Sequence, residues 1–234
     1  LDPQSLEAAI GYARTCIAAN EPRFALEAHG VAKALAAQRK PTATQHSQLF
    51  RVEANVHMRN QDFPAAERTL LRGLEESPDD VPMLDLLTYA YMQTDNGTKA
   101  LPFIDRLLKL RPDDEALLQR RGYLLLHSGK VDESVAIFDQ ILSRHPDDPA
   151  ARMNRATAHL AGGRPEKAAE DFRAILRRTP DAVDALVGLS EASARSKDKA
   201  GAIRHLDEAI ATLKAGTTLH SNLTARLAAL KAAP

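Results

Sequence analysis

The sequence predicts an all-α protein, an α-solenoid built from tandem helix-turn-helix repeats. Composition is one reason: 44% of the residues are hydrophobic, only 4% are aromatic, and tryptophan is absent. Such a composition suits helices packed through alanine and leucine better than a β-sandwich. Periodicity is the other reason, because a proline followed by aspartate recurs every 34 residues, at Pro78, Pro112, Pro146 and Pro180. A period of this length is typical of arrays whose repeats pack against their neighbours.

The recurring prolines mark helix boundaries. Proline lacks an N–H and clashes with the preceding turn, so it ends one helix. The aspartates that follow it can cap the next helix and lie favourably at its positive N-terminus. We do not interpret these acidic pairs as calcium sites, because no twelve-residue loop with a closing glutamate follows them. The period divides the central part of the chain into five repeats, 47–80, 81–114, 115–148, 149–182 and 183–216.

Small residues and bulky apolar residues occupy fixed columns within each repeat. Small residues at columns 8 and 20 are expected where the two helices of a repeat cross, since small side chains let helix axes approach closely. Apolar residues at columns 24 and 27 complete one face of the second helix. Column 8 holds Ala54, Thr88, Gly122, Ala156 and Ser190, column 20 holds Ala66, Ala100, Ser134, Ala168 and Ala202, and column 24 holds Leu70, Ile104, Phe138, Phe172 and Leu206.

The two ends of the chain are predicted to be helical but outside the regular period. Residues 1–46 are expected to form a divergent helical pair, with Asp2-Pro3 as cap and first turn and a break at Asn20-Glu21-Pro22. Residues 217–234 are expected to form one C-terminal capping helix, which covers the apolar end of the array with Leu223 and Leu227. Because the sequence starts at Leu1 rather than methionine, we expect it to be a processed or trimmed piece.

The repeat resembles the tetratricopeptide repeat (TPR) motif, with small residues at columns 8 and 20, a bulky apolar residue at column 24 and proline at column 32. The resemblance covers residues 47–216 and implies a right-handed superhelix. Four positions depart from the motif, because columns that are usually apolar hold charges that are expected to pair or to snorkel. They are Glu53, Arg121 and Arg155 at column 7 and Arg152 at column 4.

The resemblance further implies that the first helices of the repeats line a concave groove that binds protein. The side chains there mix aromatic, thioether and polar groups, which suits an amphipathic or extended peptide. Tyr89 and Tyr123 are the expected anchors, and the alternative is that both pack between helices. The predicted groove residues are Arg51, Asn55, Met58, Arg59, Asp85, Tyr89, Met92, Gln119, Arg120, Tyr123, Leu126, His127, Met153 and Thr157.

Some TPR domains clamp the C-terminal carboxylate of their ligand, and this chain holds part of that pattern. Arg51 and Asn55 resemble the first pair of the clamp, and Arg120 falls at the column of its last arginine. Leu86 and Ala116 stand where the clamp has asparagine and lysine. The clamp is incomplete, which argues against a receptor for chaperone tails.

The sequence favours a non-catalytic scaffold for protein interaction. It contains no H-E-x-x-H, G-x-S-x-G or phosphate-binding glycine motif, so we predict no enzyme, cofactor or metal site. His57 and His159, both at column 11, are expected to be buried or partly buried instead of binding metal. Thirty-one basic residues balance 31 acidic ones, which argues against nucleic acid as a partner. No apolar run approaches the ~18 residues that a membrane span needs.

Other interpretations remain open. The segment can be the recognition module of a larger enzyme, or of an envelope-assembly or secretion factor whose other domains lie outside it. Self-association is a further possibility. An excess of arginine, 21 residues against 10 lysines, suggests a GC-rich bacterial genome. The compartment, cytoplasmic or envelope-associated, and the identity of the protein partner stay open.

Overall fold

The structure is a computed structural model that describes residues 5–94 and 96–232. These residues form thirteen α-helices and one 3-10 helix, without a strand, so the predicted all-α fold of helical repeats is confirmed. The helices are α1 (Leu6–Ala18), α2 (Pro22–Gln38), α3 (Ala43–Arg59), α4 (Phe63–Glu76), α5 (Val81–Met92), a 3-10 helix (Gly97–Ala100), α6 (Leu101–Leu110), α7 (Glu115–His127), α8 (Val131–Arg144), α9 (Pro149–Ala161), α10 (Pro165–Leu176), α11 (Val183–Arg195), α12 (Lys199–Ala211) and α13 (Thr218–Ala232).

The chain divides into two compact units, which we call the N-terminal body (residues 1–114) and the C-terminal body (residues 115–234). In the N-terminal body, consecutive helices pack as hairpins, and α3 also contacts the first helices of the flanking hairpins, α1 and α5. In the C-terminal body, α9 contacts α7 and α11 in the same way. The first helices of successive hairpins therefore lie side by side within each body.

Aspartates cap several helices at the predicted boundaries. Asp80 accepts a hydrogen bond from the Met83 backbone N–H at 2.9 Å, and Asp148 accepts one from Ala151 at 3.0 Å. Ala182 occupies the equivalent position before α11, where no side chain caps the helix. The predicted cap at Asp2-Pro3 lies outside the described residues, and Ser5 is the N-cap of α1.

The small and bulky columns form the core as predicted. Phe138 is 0% exposed, and a Cβ atom at position 122 would lie 2.6 Å from its Cζ, which explains the glycine of that column. Ser134, also fully buried, donates a hydrogen bond from its hydroxyl to the Gly122 carbonyl at 2.7 Å. At the C-terminal end, Leu223 of α13 packs with Leu206, so the last helix covers the apolar face of its neighbours.

The charged residues at columns 4 and 7 pair with neighbouring helices. Arg155 binds Asp171 with two hydrogen bonds, from Nη2 at 2.6 Å and from Nε at 2.9 Å. Arg152 lies 3.5 Å from the same carboxylate, which is 3% exposed as a residue. Glu53 lies 3.5 Å from His29 Nε2, and that hydrogen bond lowers the pKa of Glu53 below its usual value. The predicted pairing is confirmed for Glu53, Arg152 and Arg155.

The turn between the two helices of a repeat needs a left-handed residue at column 15. Gly129 and Gly163 adopt φ values of 77° and 68° there, which glycine tolerates without strain. Gln61 and Lys197 adopt φ values of 59° and 64° at the same column, where a side chain is disfavoured. In the described ranges, no helix is both long enough and apolar enough to cross a membrane.

Candidate functional site

Two adjoining cavities open along the first helices of the N-terminal body. They share Asn55 of α3 and Leu86 of α5, so they form neighbouring parts of one surface. The first, which we call the arginine cavity, has a volume of about 430 Å³. Its lining comes from three helices: Arg14, Ile17 and Ala18 of α1, Gln48, Arg51, Val52 and Asn55 of α3, and Pro82, Asp85 and Leu86 of α5.

The second cavity, which we call the tyrosine cavity, has a volume of about 750 Å³. Tyr89 lies in its wall with half of its surface, 50%, exposed, next to the half-buried side chain of Met58. An aromatic ring and a thioether at one concave site offer adaptable apolar contact area to a ligand. The full lining is Asn20, Asn55, Met58, Arg59, Gln61, Phe63, Leu86, Tyr89 and Gln93.

Several polar groups of these cavities already have partners. Arg59 donates hydrogen bonds to the Asn20 side chain at 2.9 Å and to the Ile17 carbonyl at 3.3 Å, so it ties α3 to the α1–α2 turn. Asp85 accepts a hydrogen bond from Arg111 at 2.8 Å. Arg59 and Asp85 were both predicted groove residues, and these contacts give each of them a structural role at the edge of the site.

The amide of Asn55 is partly used within its own helix. Its Nδ2 donates to the Arg51 carbonyl, one turn earlier, at 2.7 Å. This bond fixes the orientation of the amide, so that Oδ1 is the atom left to accept a hydrogen bond from a ligand. Asn55 therefore offers one oriented acceptor at the point where the two cavities meet.

The C-terminal body places its predicted groove residues in varied environments. Tyr123 is 44% exposed, and its ring lies 4.0 Å, centroid to centroid, from the ring of His127. Gln119 donates to the Asp148 carboxylate at 2.8 Å, which links α7 to the cap of α9. Met153 packs against the Phe172 core. Thr157 of this body is exposed, and Arg120 and Leu126 are half-buried. Met92, on α5 of the N-terminal body, completes the predicted set and is also half-buried.

The alternative that both tyrosines pack between helices does not fit this exposure. Tyr91, two residues from Tyr89 on α5, is a tyrosine that does pack between helices. It is 5% exposed, and its hydroxyl donates a hydrogen bond to Glu67 at 2.9 Å. Burial and the Glu67 carboxylate raise the pKa of Tyr91 to about 12. Tyr89 and Tyr123 instead present half of their surface to solvent.

Sequence reasoning missed the contribution of α1 to the arginine cavity. Arg14, Ile17 and Ala18 line it, yet none was predicted, because the columns of residues 1–46 do not align with the regular repeats. The signal that can identify them is their spacing of three and four residues, which places them on one face of α1. That face adjoins α3, which α1 contacts.

The histidines at column 11 are packed, as expected. His57 keeps 32% of its side chain exposed, and its Nδ1 lies 4.0 Å from Asp62. His159 is 7% exposed, and burial together with the neighbouring charge of Arg164 lowers its pKa. Across the part of the chain that the structure describes, no group of three or more His, Cys, Asp or Glu side chains is placed to hold a metal ion.

Comparison with known proteins connects this geometry to a family and to solved structures. The family profile described as tetratricopeptide repeat matches residues 51–115, 120–182 and 155–216. A search of curated protein sequences gives no significant match. A tetratricopeptide repeat protein from Parabacteroides merdae has a TM-score of 0.73 at 17% identity, with 97% of this chain and 87% of that chain covered.

Two further solved structures show the same likeness. YrrB, described as a TPR protein with an unusual peptide-binding site, has a TM-score of 0.66 at 19% identity, with 79% of this chain and 92% of that chain covered. MamA from Desulfovibrio magneticus has a TM-score of 0.63 at 20% identity, with 71% and 94% covered. Identities this low establish likeness of fold.

Proposed function

The chain belongs to the tetratricopeptide repeat family, and on that premise we propose that it is a protein-interaction scaffold whose first helices bind a peptide segment of a partner. The observation that carries this proposal is Tyr89, which is 50% exposed in the wall of a cavity of about 750 Å³. Tyrosines at the centre of concave sites are frequent anchors of protein interfaces, because a large rigid ring excludes water at a small entropic cost.

The dimensions of the surface favour an extended peptide as the ligand. The two cavities follow α3 from Gln48 to Arg59, and 11 residues of helix correspond to about 17 Å. An extended peptide rises about 3.3 Å per residue, so about five residues of ligand match this length. Apolar pockets and oriented polar groups along such a track recognise alternate side chains and the backbone of a peptide.

We also infer that the chain is not itself an enzyme. The tetratricopeptide repeat fold is typically an interaction scaffold. Perturbed pKa values often mark catalytic groups, but here they belong to ion pairs and to other groups that lie outside the two cavities. Arg155 with Asp171, Glu53 with His29 and Glu191 with Arg195 are such pairs, and none of these residues lines the arginine or the tyrosine cavity.

The proposal can be tested by selecting peptides and then replacing the anchor. Peptides selected on the wild-type chain from a displayed random library are labelled, and their affinities are measured by fluorescence anisotropy. We expect Tyr89→Ala to weaken binding by roughly 10- to 30-fold, as for an interface residue worth about 2 kcal/mol. Tyr12→Ala is the matched control, because Tyr12 is 52% exposed and lines neither cavity. Equal affinities of the wild type and the Tyr89→Ala variant contradict the proposal.

A further inference from the structure

We propose that the arginine cavity binds a carboxylate, so that the partner segment is acidic and carries an apolar side chain close to its acidic residue. This inference rests on the proposed peptide binding and names the chemistry of the ligand. The supporting observation is which of the charged side chains that line the cavity have an ion-pair partner. Arg14 of α1 and Arg51 of α3 both line it.

In residues 5–94 and 96–232, neither of the two guanidinium groups makes a hydrogen bond or an ion pair. Arg14 is exposed and Arg51 is half-buried. Two other arginines of the same body are engaged: Arg59 is bound to Asn20 at 2.9 Å, and Arg106 lies 2.9 Å from Asp79. Arg39 and Arg68 also have no such partner within the described residues, but both are exposed and line neither cavity. Arg14 and Arg51 are therefore set apart by lacking a partner and lining one cavity together.

The single carboxylate in the cavity wall does not compensate these charges. Asp85 is held by Arg111 at 2.8 Å, and Arg111 is not part of the lining. The cavity therefore presents two positive charges without a negative counterpart of its own. A half-buried charge without a partner is unfavourable, and an anionic group of a ligand relieves that cost.

The guanidinium of arginine matches the geometry of a carboxylate better than a group that acts as a point charge does. Its planar guanidinium can donate two parallel hydrogen bonds to the two oxygens of one carboxylate. Since α1 contacts α3, the two guanidinium groups reach the same cavity from neighbouring helices. Asn55 lines the same cavity, and since its Nδ2 is bound to the Arg51 carbonyl, its Oδ1 can accept a hydrogen bond from an N–H of the peptide backbone.

Apart from Gln48, the remaining lining is apolar, which favours an apolar side chain next to the acidic residue of the ligand. Ile17, Val52 and Leu86 provide aliphatic surface next to the arginines. The arrangement differs from the carboxylate clamp of other TPR domains, because its second cation comes from α1, before the first regular repeat. Leu86 stands at the clamp's amide position and gives the cavity an apolar wall instead.

The separation of the two cavities along α3 sets a spacing for the ligand. Along α3, Arg51 and Met58 are seven residues apart, which corresponds to about 10 Å. About three residues of extended peptide cover that distance. We therefore expect an acidic residue at the arginine cavity and an apolar residue three positions away at the tyrosine cavity.

The test uses two labelled pools of ten-residue peptides with acetylated and amidated ends. Both pools carry a fixed leucine, and three positions away one pool carries glutamate and the other glutamine, with random residues elsewhere. Binding to the full chain is measured by anisotropy at low and high salt. We expect the wild type to bind the glutamate pool about tenfold more tightly or better, and the preference to shrink in high salt, which screens the charges.

Two double variants assign the preference to the cavity. Arg14→Gln/Arg51→Gln should lose the preference for glutamate. Arg23→Gln/Arg68→Gln removes the same number of charges from exposed positions of the same body that line neither cavity, and it should keep the preference. If circular dichroism shows that the first variant is misfolded, the Arg14→Gln single variant, at an exposed position, replaces it.

The outcomes separate this inference from the proposed function. If the wild type binds both pools equally and Tyr89→Ala weakens both, the carboxylate site is wrong while peptide binding stands. If the wild type binds neither pool, both are wrong. A third arm repeats the glutamine pool with a free C-terminal carboxylate. Tight binding of that pool, lost in Arg14→Gln/Arg51→Gln, supports the same cavity with the carboxylate supplied by the chain end.

Discussion

Replacement of Asp171 by asparagine should destabilise the C-terminal body, because this carboxylate holds two arginines in the interior. Its side chain is 5% exposed, and it accepts two hydrogen bonds from Arg155 and lies 3.5 Å from Arg152. Each hydrogen bond to a charged group contributes about 1.5–3 kcal/mol. Asparagine keeps one acceptor, and water reaches Arg155, whose side chain is 21% exposed. We therefore expect a loss of about 2–4 kcal/mol, somewhat below the usual cost of breaking a buried ion pair.

The assay for Asp171→Asn is hydrogen exchange followed by mass spectrometry, read on peptides from α9 and α10. A local loss of this size raises their exchange rates by about 30- to 1,000-fold. Asp139→Asn is the matched control, since Asp139 binds the same Arg155 at 2.6 Å but is 55% exposed, and it should cost less than about 1 kcal/mol.

A double variant distinguishes the loss of the ion pair from the loss of packing at the same site. Arg155→Met/Asp171→Leu removes both charges of the closest pair and should be more stable than Arg155 left beside an asparagine, because the charges that lose a partner, Arg152 and Asp139, are 22% and 55% exposed. The reasoning is refuted if Asp171→Asn and Asp139→Asn change exchange in α9 and α10 by the same small factor.

Two further properties follow from the described structure. Stability should fall below a pH of about 6.5, the ordinary pKa of histidine, because the pKa of His159 is lowered in the folded chain and the unfolded chain then binds the extra proton. Thermal melts from pH 8 to pH 5 should show a smaller decrease for His159→Leu, which introduces the residue found at the equivalent Leu125; equal decreases contradict this. Gly163→Ala should cost about 1 kcal/mol because its φ is 68°, whereas Lys197→Gly, at a φ of 64°, should be neutral or stabilise by up to about 1 kcal/mol. Urea titrations measure both, and a loss of stability in Lys197→Gly contradicts the second expectation.

The repeat register was sufficient to distinguish exposed from buried side chains within one helix. Tyr89 and Tyr91 are two residues apart, about 200° around α5. The columns predicted Tyr89 to lie on the groove, and Tyr91 occupies column 11, whose histidines were expected to be buried or partly buried. The structure agrees, with exposures of 50% and 5%. Similarly, the small residue at Gly122 was predicted from its column, and the ring of Phe138 supplies the reason.

Sequence alone could not settle which polar groups of the surface are available to a ligand. Arg59, Arg51 and Asp85 all lie on first helices, but their availability depends on residues far away in the chain. Arg59 is occupied by Asn20, 39 residues earlier, and Asp85 by Arg111, 26 residues later. Arg51 has no such partner within the described residues. Contacts of this kind leave no periodic signal.

The sequence by itself determined the helices, the 34-residue period and the core columns, because helix capping and the burial of one helix face are local properties that every repeat specifies again. Only the tertiary structure decided which side chains line the two cavities. The packing of α1 against α3 brings Arg14 to the cavity that Arg51 also lines. Arg111 occupies Asp85 of the same cavity, and within the described residues the two arginines keep no partner of their own. The 34-residue proline period therefore determined the fold, whereas packing across three helices determined the chemistry of the site.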